Sequence, residues 1–176
     1  KELAKTINRH KVSVITLPPM VLNLLSNNLP SLKKVVSAGG PCTQELAQNW
    51  SKTVDFYNAY GPTETTVCTS IFKYGVNKTK PPFIGKALGN MKHFVVDKNL
   101  NLTPIGVAGD LCVSGVGLAR GYLGLPELTA KKFIRNPFSD NPNSRLYKTG
   151  DLVSYSPDGN IEFLGRTDNQ GKINGV

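Results

Sequence analysis

Cysteine and histidine are scarce in this chain of 176 residues, which contains three cysteines and two histidines. Cys42, Cys68 and Cys112 are odd in number and far apart, which excludes a disulfide framework and the common zinc sites. His10 and His93 are isolated, and a lone histidine is more often structural than catalytic. The sequence therefore predicts free thiols in a reducing cytoplasm and no metal site built on these residues.

Long apolar runs are also missing. No stretch approaches the roughly 20 residues that a membrane span needs, and the first residues lack a signal-peptide pattern. There is no internal repeat, no low-complexity tract and no Walker lysine motif. At 39% hydrophobic and 19% charged residues the composition is that of a globular protein. We expect a soluble protein that does not enter a membrane.

Residues 1–75 alternate helical and strand patterns. Strands are predicted at 12–17, 32–37 and 54–57, and Thr43 is placed to cap a helix. This alternation of helices and strands predicts a parallel α/β subdomain. Ligands of such a subdomain lie at the carboxyl ends of its strands.

From about residue 82 the pattern changes to short strands and turns, interrupted by one helix that starts at Pro126. We predict a small distorted β-barrel over residues 76–165. Residues 166–176 would then form a hinge and the start of another domain.

The segment with the most candidate functional groups lies at residues 58–66 and has the sequence NAYGPTETT. A strand ends there, Gly61 and Pro62 break it, and Thr63 is placed to open a helix whose free N–H groups favour an anion. Glu64 would repel a phosphate unless a cation such as Mg²⁺ lay between them. From these residues alone, a solvated turn with a threonine cap stays an equal alternative.

Three further motifs follow in order, at residues 109–123, 147–152 and 165–170. Together with YGPTE at residues 60–64, they resemble the ordered motifs of the adenylate-forming enzymes. The residues of these motifs are similar to those of amino-acid adenylation domains of nonribosomal peptide synthetases, especially phenylalanine-activating domains of the gramicidin and tyrocidine type. The chain looks cut at both ends, and the resemblance implies a fragment of the large N-terminal core.

The resemblance implies a role for each residue of the first motif. Adenine of ATP would be contacted by Asn58, Ala59, Tyr60 and Gly61, the α-phosphate would be held by Thr63, and Mg²⁺ would be bound by Glu64. It also implies that the ribose hydroxyls are bound by Asp151 and that the ribose or a phosphate is reached by Arg166. Phe163 corresponds to an aromatic residue beside adenine, although an inward-facing strand residue is an alternative for it.

The resemblance makes Asp168 the hinge about which a small C-terminal domain rotates, with a plain surface carboxylate as the alternative. Gly171 and Asn174 depart from the family pattern, which usually has Val and Arg there. The catalytic lysine of the family would lie beyond Val176, so we expect the isolated chain to be inactive.

Several positions of the family's amino-acid pocket also align with this sequence. They are small or apolar, which predicts a slot for phenylalanine or a similar large side chain, with leucine-like substrates left open. The positions are Thr16, Val36, Ala38, Gly39, Ala59, Val67 and Cys68.

Glycines at positions 115, 117 and 121 nearly match a dinucleotide fingerprint. Arg120 stands where the pattern needs Gly or Ala, and no βαβ unit surrounds it, so we reject that interpretation and assign these glycines to a barrel turn. The formal charge of +9 is scattered over the chain. A basic surface around an ATP site explains this charge more simply than a nucleic-acid partner.

The implied partners are an amino acid, a peptidyl carrier protein with a phosphopantetheine arm, and the remainder of the adenylation domain. Two alternatives stay open. The first is an acyl-CoA or aryl-acid ligase, and the second is a noncatalytic module that binds a nucleotide or a partner.

Overall fold

In the computed structural model of the chain, residues 2–75 and 82–167 are described. They form two five-stranded sheets flanked by short helices. The helices are α1 (Glu2–Arg9), α2 (Pro19–Leu24), α3 (Gln44–Ser51) and α4 (Pro126–Lys132). The strands are β1 (Val14–Leu17), β2 (Lys34–Ser37), β3 (Asp55–Tyr60), β4 (Ser70–Tyr74), β5 (Lys86–Ala87), β6 (Met91–Val96), β7 (Gly109–Gly115), β8 (Phe133–Arg135), β9 (Arg145–Tyr155) and β10 (Ile161–Arg166).

The first sheet has the strand order β1-β2-β3-β4-β5 and confirms the predicted parallel α/β subdomain. Strands β1, β2 and β3 run parallel, whereas β4 and β5 add antiparallel to them. Apolar residues of the helices, such as Leu22 and Trp50, pack on Val35 and Phe56 of the sheet. The predicted cap of α3 is also present, since the Thr43 hydroxyl accepts a hydrogen bond from the Leu46 amide.

The second sheet is antiparallel, in the order β10-β9-β7-β6 with β8 beside β9. Its core contains Val95, Leu111, Val153 and Ile161. A separate β-rich half is therefore confirmed, but the described residues do not close it into a barrel. Strand β9, eleven residues long, pairs with β10, β7 and β8, so the sheet branches instead of closing.

Asp151 lies inside the continuous strand β9, directly after Thr149 and Gly150. Gly150 has a φ of +78°, and the pairing of β7 with β9 shifts register between Asp110 and Cys112. This irregularity resembles a β-bulge, which lets one strand continue while a side chain is re-aimed. The irregularity at Thr149 and Gly150 therefore lies directly before Asp151.

The helix predicted from Thr63 is a single 3-10 turn, Thr63–Thr65. It ends because Thr66 and Val67 adopt left-handed backbone conformations, with φ of 62° and 67°. So short an element provides no helix dipole for an anion, and the expectation of a helical phosphate site is wrong. Among the helices of residues 2–75 and 82–167, none is long and apolar enough to cross a membrane.

Candidate active site

Tyr60, Asp151 and Arg166 lie together where the two sheets meet. Tyr60 ends β3 of the first sheet, whereas Asp151 and Arg166 are directly paired residues of β9 and β10 in the second. The Arg166 guanidinium donates a hydrogen bond to Asp151 Oδ1 over 2.8 Å, and the Tyr60 hydroxyl donates to Asp151 Oδ2. The structure thus brings together three residues that are distant in sequence.

The Asp151 carboxylate is buried, with 6% of the residue exposed. Its backbone amide donates to the Thr149 hydroxyl over 3.0 Å, which fixes the bulged backbone. Burial, together with the charge of Asp151, raises the pKa of Tyr60, so the phenol stays protonated and can donate. A buried, oriented carboxylate of this kind is suited to accept hydrogen bonds from ligand hydroxyls.

Glu64 lies on the 3-10 turn after β3 and is half-buried. The hydroxyl of Tyr122 donates to Glu64 Oε1 over 2.7 Å, and the Tyr147 hydroxyl lies 3.3 Å from that of Tyr122. Burial acts to raise the pKa of Glu64, but the hydrogen bonds from these tyrosines and the charge of Lys132 lower it overall. Glu64 is therefore a carboxylate at neutral pH.

The loop that follows β7 packs directly on the Glu64 turn. The Ala119 amide donates to the Glu64 carbonyl over 2.7 Å, and the Thr66 hydroxyl donates to the Gly117 carbonyl over 2.7 Å. A Cβ at Gly117 would lie 3.0 Å from the Thr65 carbonyl oxygen. The glycine at 117 therefore permits close contact between two motifs, a role that the assignment to a barrel turn missed.

Pocket residues predicted on the first sheet share one face of it. Thr16 pairs with Val36, and Val36 pairs with Tyr57, so these side chains and that of Ala59 point to the same side. The alternate residues, such as Val35, face the helices. Three predicted pocket positions are thus brought together on the face opposite α1, α2 and α3.

The other predicted pocket residues lie in connecting segments. Ala38 and Gly39 follow β2, and Gly39 is exposed. Val67 is 69% exposed and Cys68 is half-buried, with its thiol pKa raised by burial. Both follow the Glu64 turn, so the chain order brings them to the carboxyl end of β3.

Three further predicted residues differ in their surroundings. Asn58 is buried and its side-chain amide donates to the Phe83 carbonyl over 2.9 Å, which engages that donor within the fold. Phe163 is 43% exposed on β10, so much of its side chain is open. Asp168 lies outside the described residues, as do Gly171 and Asn174.

The donor set near Glu64 fits one kind of metal. Within residues 2–75 and 82–167, no group of three or more His, Cys, Asp or Glu residues could hold an ion. Mg²⁺ in phosphate sites is commonly bound by one or two carboxylates together with phosphate oxygens and water. The single carboxylate of Glu64, with the exposed Thr63 beside it, matches that pattern.

Sequence reasoning missed Tyr122, Tyr147 and Arg145 as members of this site. Tyr122 and Tyr147 stand inside the motifs at residues 109–123 and 147–152, which was the available signal. Arg145 precedes the second of these motifs, and its guanidinium binds the carbonyls of Ala119 and Arg120 over 2.8 and 2.9 Å. Only the folded chain shows that these side chains meet Glu64 or the loop beside it.

Comparisons with known proteins indicate the family to which the chain belongs. Residues 1–123 match the family described as AMP-binding enzyme. The chain is 49% identical to bacitracin synthase 3 of Bacillus licheniformis over 98% of its length and 3% of that protein's. It is 46% identical to gramicidin S synthase 1 of Brevibacillus brevis over 96% of its length and 15% of the relative's.

A solved structure of similar fold is NpsA-ThdA, an artificially fused adenylation-PCP di-domain of a nonribosomal peptide synthetase from Klebsiella oxytoca. The TM-score is 0.89 at 26% identity, over 99% of this chain and 34% of that one. The N-terminal subdomain of Klebsiella oxytoca NpsA, in complex with 3-hydroxybenzoyl-AMSN, gives a TM-score of 0.84 at 26% identity, over 94% of this chain and 44% of that one. The chain therefore spans a minor part of each relative. With the family match over residues 1–123, these likenesses show that the chain belongs to the AMP-binding enzymes, as part of an adenylation domain of the nonribosomal peptide synthetase type.

Proposed function

We propose that the protein containing these residues joins the carboxylate of an amino acid to the α-phosphate of ATP. In this reaction a carboxylate oxygen attacks the α-phosphorus, the bond to the bridging oxygen of pyrophosphate breaks, and aminoacyl-AMP forms. The observation that carries the proposal is the meeting of Tyr60, Asp151 and Arg166 at the carboxyl end of β3, beside the Glu64 turn.

Each of these residues has a task in binding ATP. The Asp151 carboxylate is buried and oriented, so it can accept hydrogen bonds from both ribose hydroxyls once the Tyr60 hydroxyl turns away. The Tyr60 ring and the Ala59 backbone end β3 and would flank adenine. Arg166 already neutralises Asp151 at 2.8 Å and would face the ribose or a phosphate.

Glu64 and Thr63 would serve the phosphates. Bound Mg²⁺ would offset phosphate charge and polarise the α-phosphate. Glu64 remains ionised because hydrogen bonds lower its pKa against the effect of burial, so it can bind a cation without first losing a proton. The exposed Thr63 hydroxyl can donate to a phosphate oxygen.

Phenylalanine is the substrate that we favour. The predicted pocket positions on the first sheet, Thr16, Val36 and Ala59, are all uncharged, which suits a large apolar group. Similarity to gramicidin S synthase 1 over 96% of the chain supports an amino acid. An aryl acid is the second candidate, because the NpsA subdomain holds 3-hydroxybenzoyl-AMSN.

Transfer to a carrier protein would follow adenylation. The fused adenylation-PCP structure supports a peptidyl carrier protein as the partner, with its phosphopantetheine thiol as the acceptor of the aminoacyl group. We further propose that residues 1–75 and 76–165 act as two subdomains, and that Asp168 begins a hinge to a further domain.

ATP–pyrophosphate exchange in the full-length polypeptide tests this function. A panel of phenylalanine, leucine, lysine, benzoate and 3-hydroxybenzoate separates the two candidate substrate classes. We expect exchange with phenylalanine and much less with lysine, because the predicted pocket offers no negative charge. Exchange with the aryl acids alone would favour the second candidate, and no exchange with any acid would contradict adenylation of these substrates.

A further inference from the structure

The Tyr122 hydroxyl is aimed at the carboxylate of Glu64. The two residues are 58 positions apart in sequence, yet the phenol oxygen lies 2.7 Å from Glu64 Oε1. A hydrogen bond to a charged acceptor restricts the carboxylate more strongly than a bond between neutral groups. The Glu64 rotamer therefore depends on where Tyr122 is held.

Tyr122 is itself held at two points. Its backbone amide donates to the Thr129 hydroxyl over 2.9 Å, and its ring makes an edge contact with Phe133 at 5.7 Å between centroids. Phe133 in turn packs on Tyr147, with ring centroids 4.9 Å apart. This aromatic packing leaves the hydroxyl little freedom to leave Glu64.

The loop before Tyr122 is anchored on both sides. Arg145 of β9 donates to the carbonyls of Ala119 and Arg120 over 2.8 and 2.9 Å, and its guanidinium lies 5.4 Å from the Phe133 ring centroid. On the other side, the Ala119 amide donates to the Glu64 carbonyl over 2.7 Å. Strand β9 is thereby connected, through this loop, to both the backbone and the side chain of Glu64.

We propose that Tyr122 is a positioning residue that holds the Glu64 carboxylate in the orientation that binds Mg²⁺. The inference rests on the proposed function, in which Glu64 is the metal ligand. Outer partners that orient a metal ligand typically contribute 10- to 100-fold to metal affinity. In this proposal Tyr122 acts on the metal through Glu64, which its hydroxyl contacts.

The test replaces Tyr122 by phenylalanine in the full-length polypeptide, which removes the hydroxyl and keeps the ring. Electron paramagnetic resonance of Mn²⁺ added to protein saturated with a non-hydrolysable ATP analogue measures metal affinity without turnover. We expect Tyr122→Phe to raise the Mn²⁺ Kd about tenfold and the Mg²⁺ concentration for half-maximal exchange similarly. The matched control is Tyr155→Phe, which removes a hydroxyl that binds the His93 carbonyl at 3.1 Å. That control should leave the Mn²⁺ Kd unchanged.

A second comparison separates this inference from the proposed function. Glu64→Gln should weaken Mn²⁺ binding, and Tyr122→Phe should add little in that background, because the partner it orients is gone. If Glu64→Gln leaves Mn²⁺ binding intact, the metal assignment in the proposed function is wrong, and this inference with it. If Glu64→Gln weakens binding while Tyr122→Phe binds as the wild type does, only the inference is overturned.

A role in packing alone would lower the melting temperature of Tyr122→Phe without changing the Mn²⁺ Kd, and that outcome also overturns the inference. Should Tyr122→Phe fail to fold, Arg145→Gln loosens the same loop from its other side. A smaller rise of the Mn²⁺ Kd is then expected, and an unchanged Kd in that folded variant overturns the inference.

Discussion

At the scale of single residues, the candidate site contains a buried carboxyl group, that of Asp151. Asp151 is held by Arg166 at 2.8 Å and by the Tyr60 hydroxyl, each from a different strand. Burying a carboxylate is costly unless it is paired and hydrogen-bonded. These contacts meet that requirement and fix the orientation of the carboxylate.

Asp151→Asn should therefore raise the KM for ATP about tenfold or more, since it weakens charge-assisted hydrogen bonds of roughly 1.5–3 kcal/mol each. The KM for the amino acid should change much less. Steady-state exchange kinetics at varied ATP measure both constants.

A suitable control for Asp151→Asn is Asp158→Asn in the turn between β9 and β10. Hydrogen bonds from Ser156 and Asn160 lower the pKa of Asp158 to about 2, but this carboxylate lies in an exposed turn. The control should leave the KM for ATP unchanged. An ATP KM for Asp151→Asn within twofold of the wild type would count against ribose binding by this residue.

Site residues that belong to a sequence motif were predictable. Contacts between residues of distant segments were not. The resemblance pointed to Tyr60, Glu64 and Asp151, although no pattern indicates that Tyr60 and Asp151 share a hydrogen bond. Tyr122 lies in the motif at residues 109–123, but the motif does not indicate its role, because that role depends on a contact across 58 positions. Long-range contacts of this kind cannot be read from local periodicity.

At the scale of elements, the connection after β3 is the most important for the proposed phosphate contacts, because it contains Thr63 and Glu64. Gly61 permits this connection. A Cβ there would lie 2.6 Å from the Val67 carbonyl oxygen and 2.8 Å from the Thr69 amide nitrogen. These backbone atoms of residues 67–69 leave no space for a side chain.

Gly61→Ala should displace the Glu64 turn and lower kcat/KM for exchange at least tenfold, with a destabilisation of about 1–3 kcal/mol. The matched variant is Gly89→Ala, since a Cβ at Gly89 meets nothing within 4 Å. Exchange kinetics and urea unfolding of both variants give the comparison. Wild-type activity in Gly61→Ala would show that the turn tolerates the shift and does not set the site geometry.

Strand β6 contains the buried His93, which makes the stability of the fold depend on pH. Burial lowers the pKa of His93 to about 4, while an unfolded histidine titrates near 6.5. Between these values the unfolded chain binds more protons than the folded chain. The contribution of neutral His93 to the free energy of unfolding is therefore complete above pH 6.5 and is lost as the pH falls toward 4. The expected loss from pH 7 to pH 5 is about 2 kcal/mol.

His93→Gln should remove that part of the pH dependence while keeping a side chain able to bind the Thr69 hydroxyl, which lies 3.0 Å from His93 Nε2. Urea unfolding at pH 7 and pH 5 measures it in the wild type, in His93→Gln and in His10→Gln, whose histidine is exposed. An equal loss of stability in the wild type and His93→Gln would contradict the effect of burial.

The elements themselves were partly predictable. The β-branched runs at β1 and β2 and the capping threonine of α3 carry local signals, and these elements appeared as expected. Strand β4 was missed, because it is specified by pairing with β3 and lacks a strong alternating pattern of its own. The helix expected at Thr63 did not continue beyond one 3-10 turn, since Thr66 and Val67 adopt left-handed backbone conformations.

At the scale of the whole molecule, two sheets meet at the proposed ATP site, and helices cover one face of the first sheet. Parallel strands are normally covered on both faces. The chain spans 34% of the NpsA-ThdA structure, and we expect a domain of that size to contact ATP through further residues as well.

We accordingly expect residues 1–176 alone to form no detectable adenylate and to bind ATP at best with millimolar affinity. Losing several charge-assisted contacts of roughly 1.5–3 kcal/mol each lowers affinity by many powers of ten. Isothermal titration with ATP and Mg²⁺ measures the affinity directly. Micromolar binding by this chain would show that its own contacts suffice for the nucleotide.

The most direct test of the central claim is mass spectrometry of the product that the full-length polypeptide forms from ATP, Mg²⁺ and phenylalanine. We predict phenylalanyl-AMP with the wild type and at least about a hundredfold less with Glu64→Gln, because metal assistance at the α-phosphate is worth several kcal/mol. Equal amounts of the adenylate from both proteins would contradict the claim that this turn serves the reacting phosphate.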